Sequence, residues 1–268
     1  MSFAVEWLAL REPYDIKARS SAVCTAVLSG LSDRFSVSLV DLACGTGATL
    51  RALSPHLPTH QNWRLVDNDL SLLARARPVP PLPGVNVTTT PADLSYDIES
   101  VLDGPVDLVT TTAFLDLVSD DWLERFAMEA AARHLPVYAA LTYDGRVSLE
   151  PAFAADERMI SALNRHQLGD KGFGPALGPA AAATAITRFE SLGYMVTHEQ
   201  SDWVFSAEDR RIQLALISGW TNALYEIPDV LDADVKDWSD RRTRAIADGI
   251  SAIRVGHVDF FAQPAGMR

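Results

Sequence analysis

An apolar run from Val37 to Leu42 carries one acid, Asp41, and breaks into Cys44-Gly45-Thr46-Gly47 before a helical pattern opens at Ala48. A short apolar run bounded by a turn reads as a strand buried on both faces. The two glycines permit backbone conformations that a Cβ would forbid. The helix start beyond them offers unpaired amides to whatever lies over the turn. Buried strand, tight turn and helix start, in that order, commit the chain to alternating β and α elements. They also place a corner for a nucleoside-bearing ligand at the carboxyl end of the first strand.

The bulk of the chain agrees with such a fold. Its 268 residues, 48% hydrophobic and 22% charged, suffice for one large α/β domain and do not read as disordered. A formal net charge of -12 repels phosphate backbones, so a nucleic-acid partner is not expected. The densest basic patch, Arg241-Arg242-Thr243-Arg244, reads as a solvated helix face. The first residues, MSFAVEWLALREP, lack a basic region followed by a sustained apolar stretch, and no run approaches a membrane span. Two cysteines, Cys24 and Cys44, make neither a disulfide framework nor a metal cluster. These features predict a soluble, reduced, cytoplasmic protein.

Along the chain, residues 3–30 read as helical around Pro13. Val37–Leu42 is followed by a helix from about Ala48 to Leu53. A strand, Trp63–Asp67, ends in an acid, and Ser71 reads as the N-cap of Leu72–Arg77. The proline-rich stretch 78–84 reads as a stiff connection, Val85–Thr89 as the third strand and Val106–Thr110 as the fourth. A helix begins near Ser119, with Asp120 and Asp121 at its positive end, and Pro136–Thr142 is the fifth strand. The rhythm breaks between Glu150 and Pro179, with a helix over Asp156–Gln167 and the glycine-rich GDKGFGPALGP. Beyond it the pattern predicts a helix Ala180–Leu192 and a strand Tyr194–Phe205. A helix opened by the capping-box-like Ser206-Ala207-Glu208-Asp209, a helix Trp238–Ile253 and a last strand Arg254–Phe261 follow.

Four spaced motifs resemble those of the class I S-adenosylmethionine-dependent methyltransferases. Asp41-x-x-x-Gly45-x-Gly47, spelled DLACGTG, matches that family's first motif, and Asp67 closes the second strand where the family keeps an acid for ribose hydroxyls. Ala92-Asp93-Leu94 follows the third strand and Thr111–Leu117 the fourth. The resemblance implies a doubly wound, mainly parallel seven-stranded sheet with an antiparallel edge. It implies a single domain over 1–268, with N-terminal helices at 1–34 and a helical lid or acceptor-binding insertion at about 150–180. S-adenosyl-L-methionine would be the cofactor and S-adenosyl-L-homocysteine its product. Asp41, Ala43, Gly45, Gly47, Asp67, Asn68, Asp93, Leu94, Thr112 and Phe114 would bind it. A dinucleotide fingerprint wants a third glycine where this chain has Leu50, which disfavours an NAD(P)-dependent oxidoreductase. A cofactor-binding protein of the same fold without chemistry is the other alternative, because methyl transfer needs no nucleophile.

Local roles compete with ligand roles at several of these residues. Asp41 orients the glycine turn or caps local amides as a strand-end acid. Asp67 suits a vicinal diol, since a carboxylate accepts two hydrogen bonds side by side. Asp93 reads equally well as an Asx turn, and Cys44 as a small buried filler. The acceptor would be a small molecule methylated on oxygen or nitrogen by in-line transfer. The polar cluster in the 150–180 insertion supplies the candidates for its chemistry: His166 as base, with Asp170 and Lys171 beside it. Tyr14, Arg11, Asp116, Arg165, Phe173 and Trp203 are candidates for acceptor binding. Asp116 and Asp144 are too few to predict a metal. Monomer and homodimer remain equally open.

Overall fold

The computed structural model describes residues 4–77 and 81–266. The chain opens with α1 (Val5–Ala18) and α2 (Ser21–Leu31), followed by β1 (Ser36–Leu42), α3 (Ala48–Leu53), β2 (His60–Asp67) and α4 (Leu70–Ala76). Next come β3 (Val85–Pro91), α5 (Ile98–Val101), β4 (Leu108–Thr112), α6 (Asp120–Ala132) and β5 (Val137–Glu150). The remaining elements are α7 (Asp156–Gln167), α8 (Ala181–Ser191), β6 (Tyr194–Gln200), β7 (Trp203–Phe205), α9 (Arg210–Tyr225), α10 (Asp232–Ala247) and β8 (Ala252–Pro264).

Strands run in the order β3-β2-β1-β4-β5-β8-β6, with β7 pairing β8 off that path, so the sheet has eight strands rather than seven. The β1, β2, β3, β4 and β5 pairings are parallel, and β8 is antiparallel to β5, β6 and β7. β1 is flanked by β2 on one side and β4 on the other, so the chain reverses direction across the sheet there. Open α/β sheets bind ligands at the carboxyl ends of the strands beside such a reversal.

Both sheet faces are covered. One apolar cluster joins Val40, Leu42 and Val109 to the helices α5, α6 and α8 through Ile98, Phe126 and Phe189. The other joins Leu39, Trp63 and Leu65 to α2 and α3 through Val27 and Leu50. A third packs β7 and the ends of β5 and β8 against α7, α9 and α10, with Trp7, Leu10 and Tyr14 of α1 at its margin.

Several local expectations shift. The expected helical stretch 3–30 is two helices broken at Arg19, with Pro13 inside the first and Ser20 capping α2 by its Oγ, which accepts from Val23 N; Phe3 lies outside the described residues. Asp69, not Ser71, caps α4, accepting from Ser71 N and Leu72 N. Pro78, Val79 and Pro80 of the stiff connection lie outside the described residues. The expected strand 194–205 is two strands, interrupted at Ser201-Asp202, where Asp202 takes Arg146, Arg254 and the backbone of His257. The 206–209 segment precedes its helix, which starts at Arg210, with Ser206 N and Oγ both donating to Asp209 Oδ2. The last helix begins six residues earlier than the pattern suggests, at Asp232 rather than Trp238.

The basic patch is not a solvated face throughout. Arg242 has no exposed side chain; it donates to Pro151 O at 2.9 Å, pairs with Asp156 and stands 4.2 Å from the Phe153 ring. Trp238 Nε1 donates to the same carboxylate at 2.8 Å. This bond set staples α10 to the start of α7. Among the described residues, no helix is long and apolar enough to cross a membrane.

Candidate active site

A cavity opens over the carboxyl ends of β1, β2 and β4, where the strand order reverses. Ala43 at the end of β1 and Ala113 at the end of β4 both hold φ of +51° and both line it. Left-handed backbone at non-glycine residues is sparsely populated and is kept only where surroundings impose it. Ala113 N is fixed on Ala140 O at 2.9 Å, and Cys44 N on Val66 O at 2.9 Å.

Gly45 (φ +54°) donates its N–H to Asp67 Oδ2 at 2.8 Å, while Asp67 Oδ1 accepts from Asp69 N at 2.9 Å. One carboxylate therefore ties the β1 turn to the end of β2 and faces the cavity. Each oxygen has spent one lone pair on an amide, and an ionised carboxylate has about four acceptor sites. Vicinal hydroxyls still find acceptors there. Gly47 serves packing instead: at φ +80° its Cβ would lie 2.5 Å from Ala76 O, so α3 and α4 approach only because it has none.

Asp41 lies beneath the turn, fully buried, with Oδ1 accepting from Thr110 Oγ1 at 2.7 Å and Oδ2 without a partner. Burial pushes its carboxyl up to about 7, and the Asp67 charge adds to this while Thr110 and Arg19 oppose it. Burial also pushes the Cys44 thiol far up, with Asp41 and Asp67 adding to it, which suits the filler role rather than a nucleophile. Arg19 crosses behind the site, donating to Thr112 Oγ1 and Tyr138 Oη, each at 3.0 Å.

An aromatic wall closes the far side. Phe114 meets Trp122 and Phe173 edge-on at 5.4 and 5.3 Å between centroids. Trp122 Nε1 is spent on Leu94 O at 2.6 Å. Phe173 comes from the 150–180 segment, held near β4 by Leu177 N on Val118 O at 2.8 Å. Over the top, α1 sets Leu8, Arg11 and Asp15 on one face, three and four residues apart, against the cavity. Arg11 Nε pairs with Asp15 Oδ2 at 2.8 Å, and Trp203 Nε1 donates to Asp15 Oδ1 at 2.9 Å.

Of the residues singled out from sequence, Arg11, Ala43, Gly45, Asp67, Asn68, Leu94, Thr112, Phe114, Lys171 and Phe173 line this cavity. The others do not. His166 Nε2 pairs with the exposed Glu226 at 2.9 Å, and Arg165 pairs with Asp229 at 2.9 Å, both away from the cavity lining. Asp170 caps its own loop, accepting from Gly172 N and Gly174 N. Asp93 is exposed and makes the Asx turn, accepting from Ser95 N and Oγ. Tyr14 points to Asp209, with Oη donating at 2.8 Å. Trp203 and Asp116 are buried beside the site; burial pushes the Asp116 carboxyl up to about 6. Leu8, Asp15, Thr49 and Leu72 line the cavity and were not anticipated, although the helical spacing of Leu8, Arg11 and Asp15 was a readable signal. Among the described residues no group of three or more His, Cys, Asp or Glu is placed to hold a metal.

The sheet order, the turn and the acid closing β2 keep the arrangement that the motifs' resemblance to the class I S-adenosylmethionine-dependent methyltransferases implies. Residues 39–136 match the family model described as a methyltransferase domain. Among solved structures, the chain is similar to a cyclopropane-fatty-acyl-phospholipid synthase-like protein from Lactobacillus casei, at 12% identity over 94% of this chain and 98% of that one, with a TM-score of 0.54. A putative type II methyltransferase from Anaeromyxobacter dehalogenans matches at 16% identity over 92% and 96%, with a TM-score of 0.53. At these identities the likeness is one of fold. Among curated proteins none matches the sequence.

Proposed function

We propose that this enzyme methylates a small-molecule acceptor at oxygen or nitrogen, using S-adenosylmethionine held at the carboxyl ends of β1, β2 and β4. The observation that carries the reading is the Asp67 carboxylate, locked by two backbone amides and still facing the cavity with acceptor sites to spare. Asp67 and Asn68 receive the ribose end. Ala43 and Gly45 bring backbone against the ligand, and Leu94, Thr112 and Phe114 wall it. Gly47 contributes by keeping α3 against α4.

The charge around the turn favours this donor over a dinucleotide. Asp67 faces the cavity at the turn itself, while Asp15 and Arg11, which also line it, are spent on each other and Lys171 stands across the cavity on the 150–180 segment. A carboxylate so placed attracts a cation and repels a pyrophosphate. When bound, the donor supplies a methyl group on a positively charged sulfur. The chain's own part is to align the two reactants and keep water out. Residues 150–180 act as the lid, with Phe173 against Phe114 and Lys171 at the rim, and α1 closes the other side with Leu8 and Arg11.

Isothermal calorimetry tests the assignment. S-adenosylhomocysteine is expected to bind stoichiometrically and NAD not at all; binding of NAD without S-adenosylhomocysteine overturns the reading.

A further inference from the structure

One face of α1 repeats at helical spacing. Leu8, Arg11, Glu12 and Asp15 stand three, four and seven residues along from the first, so they share one side of the helix. Leu8, Arg11 and Asp15 line the cavity, and Leu8 reaches the turn itself, its Cδ1 3.5 Å from where a Cβ on Gly45 would lie. Glu12, one turn beyond Leu8, meets Arg51 of α3 instead.

Arg51 holds two things at once. Side chains of a helix lean toward its N-terminus, and α3 starts at the glycine turn, so the Arg51 guanidinium lies back over that turn. Its Nη1 donates to Thr46 O at 2.6 Å, between Gly45 and Gly47. Nε and Nη2 take Glu12 side by side, at 2.5 Å to Oε1 and 2.7 Å to Oε2. All three nitrogens are engaged, which a lysine ammonium could not reproduce in this planar arrangement. Thr46 lines the cavity, so one guanidinium joins the cavity floor to its cover.

The other polar side-chain attachments of α1 lead away from the turn. Tyr14 bonds Asp209, just before α9, and Asp15 bonds Trp203 of β7. Among the described residues, Glu12 is the one member of α1 whose side chain bonds the half of the fold from β1 to β4. The Glu12 carboxylate fixes the plane of the fork, and that plane aims Nη1 at Thr46. Lifting α1 frees the plane, so closure of the cover and the shape of the turn form one equilibrium.

We propose that Arg51 is a positioning residue that couples closure of α1 to the donor-binding turn, and that donor exchange requires its pair with Glu12 to break. This rests on the donor assignment under the methyltransferase reading and adds to it the device that retains the donor. Coupling between two sites is reciprocal: a ligand on the turn holds α1 down, and α1 held down retains the ligand.

Two variants and their combination make the test. Glu12→Gln removes the charge and keeps the size, and Arg51→Met removes the fork. Arg51 and Glu12 are 32% and 18% exposed, so neither change encloses an unpaired charge and both variants should fold. Hydrogen exchange with mass spectrometry follows α1 with and without S-adenosylhomocysteine, and stopped-flow fluorescence follows dissociation of that ligand. In the wild type the ligand should slow exchange across residues 5–18. Glu12→Gln should reduce that slowing, and speed dissociation, by about fivefold, and Arg51→Met by about tenfold or more. Adding Glu12→Gln to Arg51→Met should change neither further, because the partner is already gone. A second loss of the same size in the double variant overturns the proposal, since Glu12 would then act without Arg51. Equal loosening of α10, which lines no part of the cavity, also overturns it, as general destabilisation. Ligand binding with unchanged dissociation in Glu12→Gln refutes the proposal alone, whereas a wild type that binds no S-adenosylhomocysteine refutes the donor assignment and the proposal with it.

Discussion

Replacing Asp67 by Asn isolates what holds the ligand corner together. The wild-type carboxylate accepts two amides, Gly45 N at 2.8 Å and Asp69 N at 2.9 Å. The amide side chain has the same shape and only one acceptor, so one of these N–H groups must face an NH2. A hydrogen bond to a charged acceptor contributes about 1.5–3 kcal/mol, and Asp67→Asn should lower unfolding stability by about that amount without ligand. The same change removes charge-assisted bonds to the ligand's hydroxyls, weakening S-adenosylhomocysteine by about 100-fold. At a ligand concentration about 100 times the wild-type Kd, binding stabilises the wild type by about 2.7 kcal/mol and the variant by only about 0.4. Urea unfolding of both proteins, with and without that ligand, should show a gap that widens by about 2.3 kcal/mol on ligand addition. A gap of the same size in both conditions would mean that Asp67 does not touch the ligand. No gap without ligand would mean that the two amide bonds do not hold the turn.

Three further outcomes follow from the geometry. Arg242→Met strands the buried Asp156 carboxylate and should cost about 3–5 kcal/mol in urea unfolding; a loss under about 1 kcal/mol would show that the pair does not staple α10 to α7. Burial holds the Asp41 carboxyl at about 7 in the folded chain, above its unfolded value of roughly 3.9. Between those values the folded state binds the extra proton, so the wild type loses stability as pH rises from about 4 to 7. Asp41→Asn does not titrate, and the difference between the two proteins, followed by denaturant melts, should move in its favour over that window; a constant difference would contradict the burial argument. His166→Ala breaks an exposed pair with Glu226 away from the cavity, so S-adenosylhomocysteine affinity by calorimetry should stay within about twofold.

The ligand corner was legible because its signals are short-range. An apolar strand, two glycines and an acid at the next strand end are each set by neighbours within a few residues, and β1, α3 and β2 follow from them; the Gly45–Asp67 bond, 22 residues across, does not. The acceptor side is different in kind. His166 looked chemical because it sits in a polar, glycine-rich stretch, yet its partner is Glu226, 60 residues on. Arg242 read as surface because its own helix is polar; its burial depends on Asp156, 86 residues earlier. His257 lies in a strand that gives no hint of Tyr143 until antiparallel pairing sets the register. Long-range pairing decides these positions, and no local pattern encodes it. The break at Asp202 belongs here too, since three partners from other strands draw that side chain in.

The first helix has its partners near the other end of the chain. Tyr14 bonds Asp209, 195 residues away, and Asp15 bonds Trp203, 188 residues away. α1, made well before β7 and α9, thus waits for them before these bonds can form. The donor corner, built from residues 36–112, can assemble while its cover is still undocked, and contacts of such separation close slowly. Opening that cover requires no change in the sheet, only release of α1 from its late-made neighbours and of Glu12 from Arg51 of α3. The nascent enzyme would acquire its binding surface before it acquires the ability to enclose what binds.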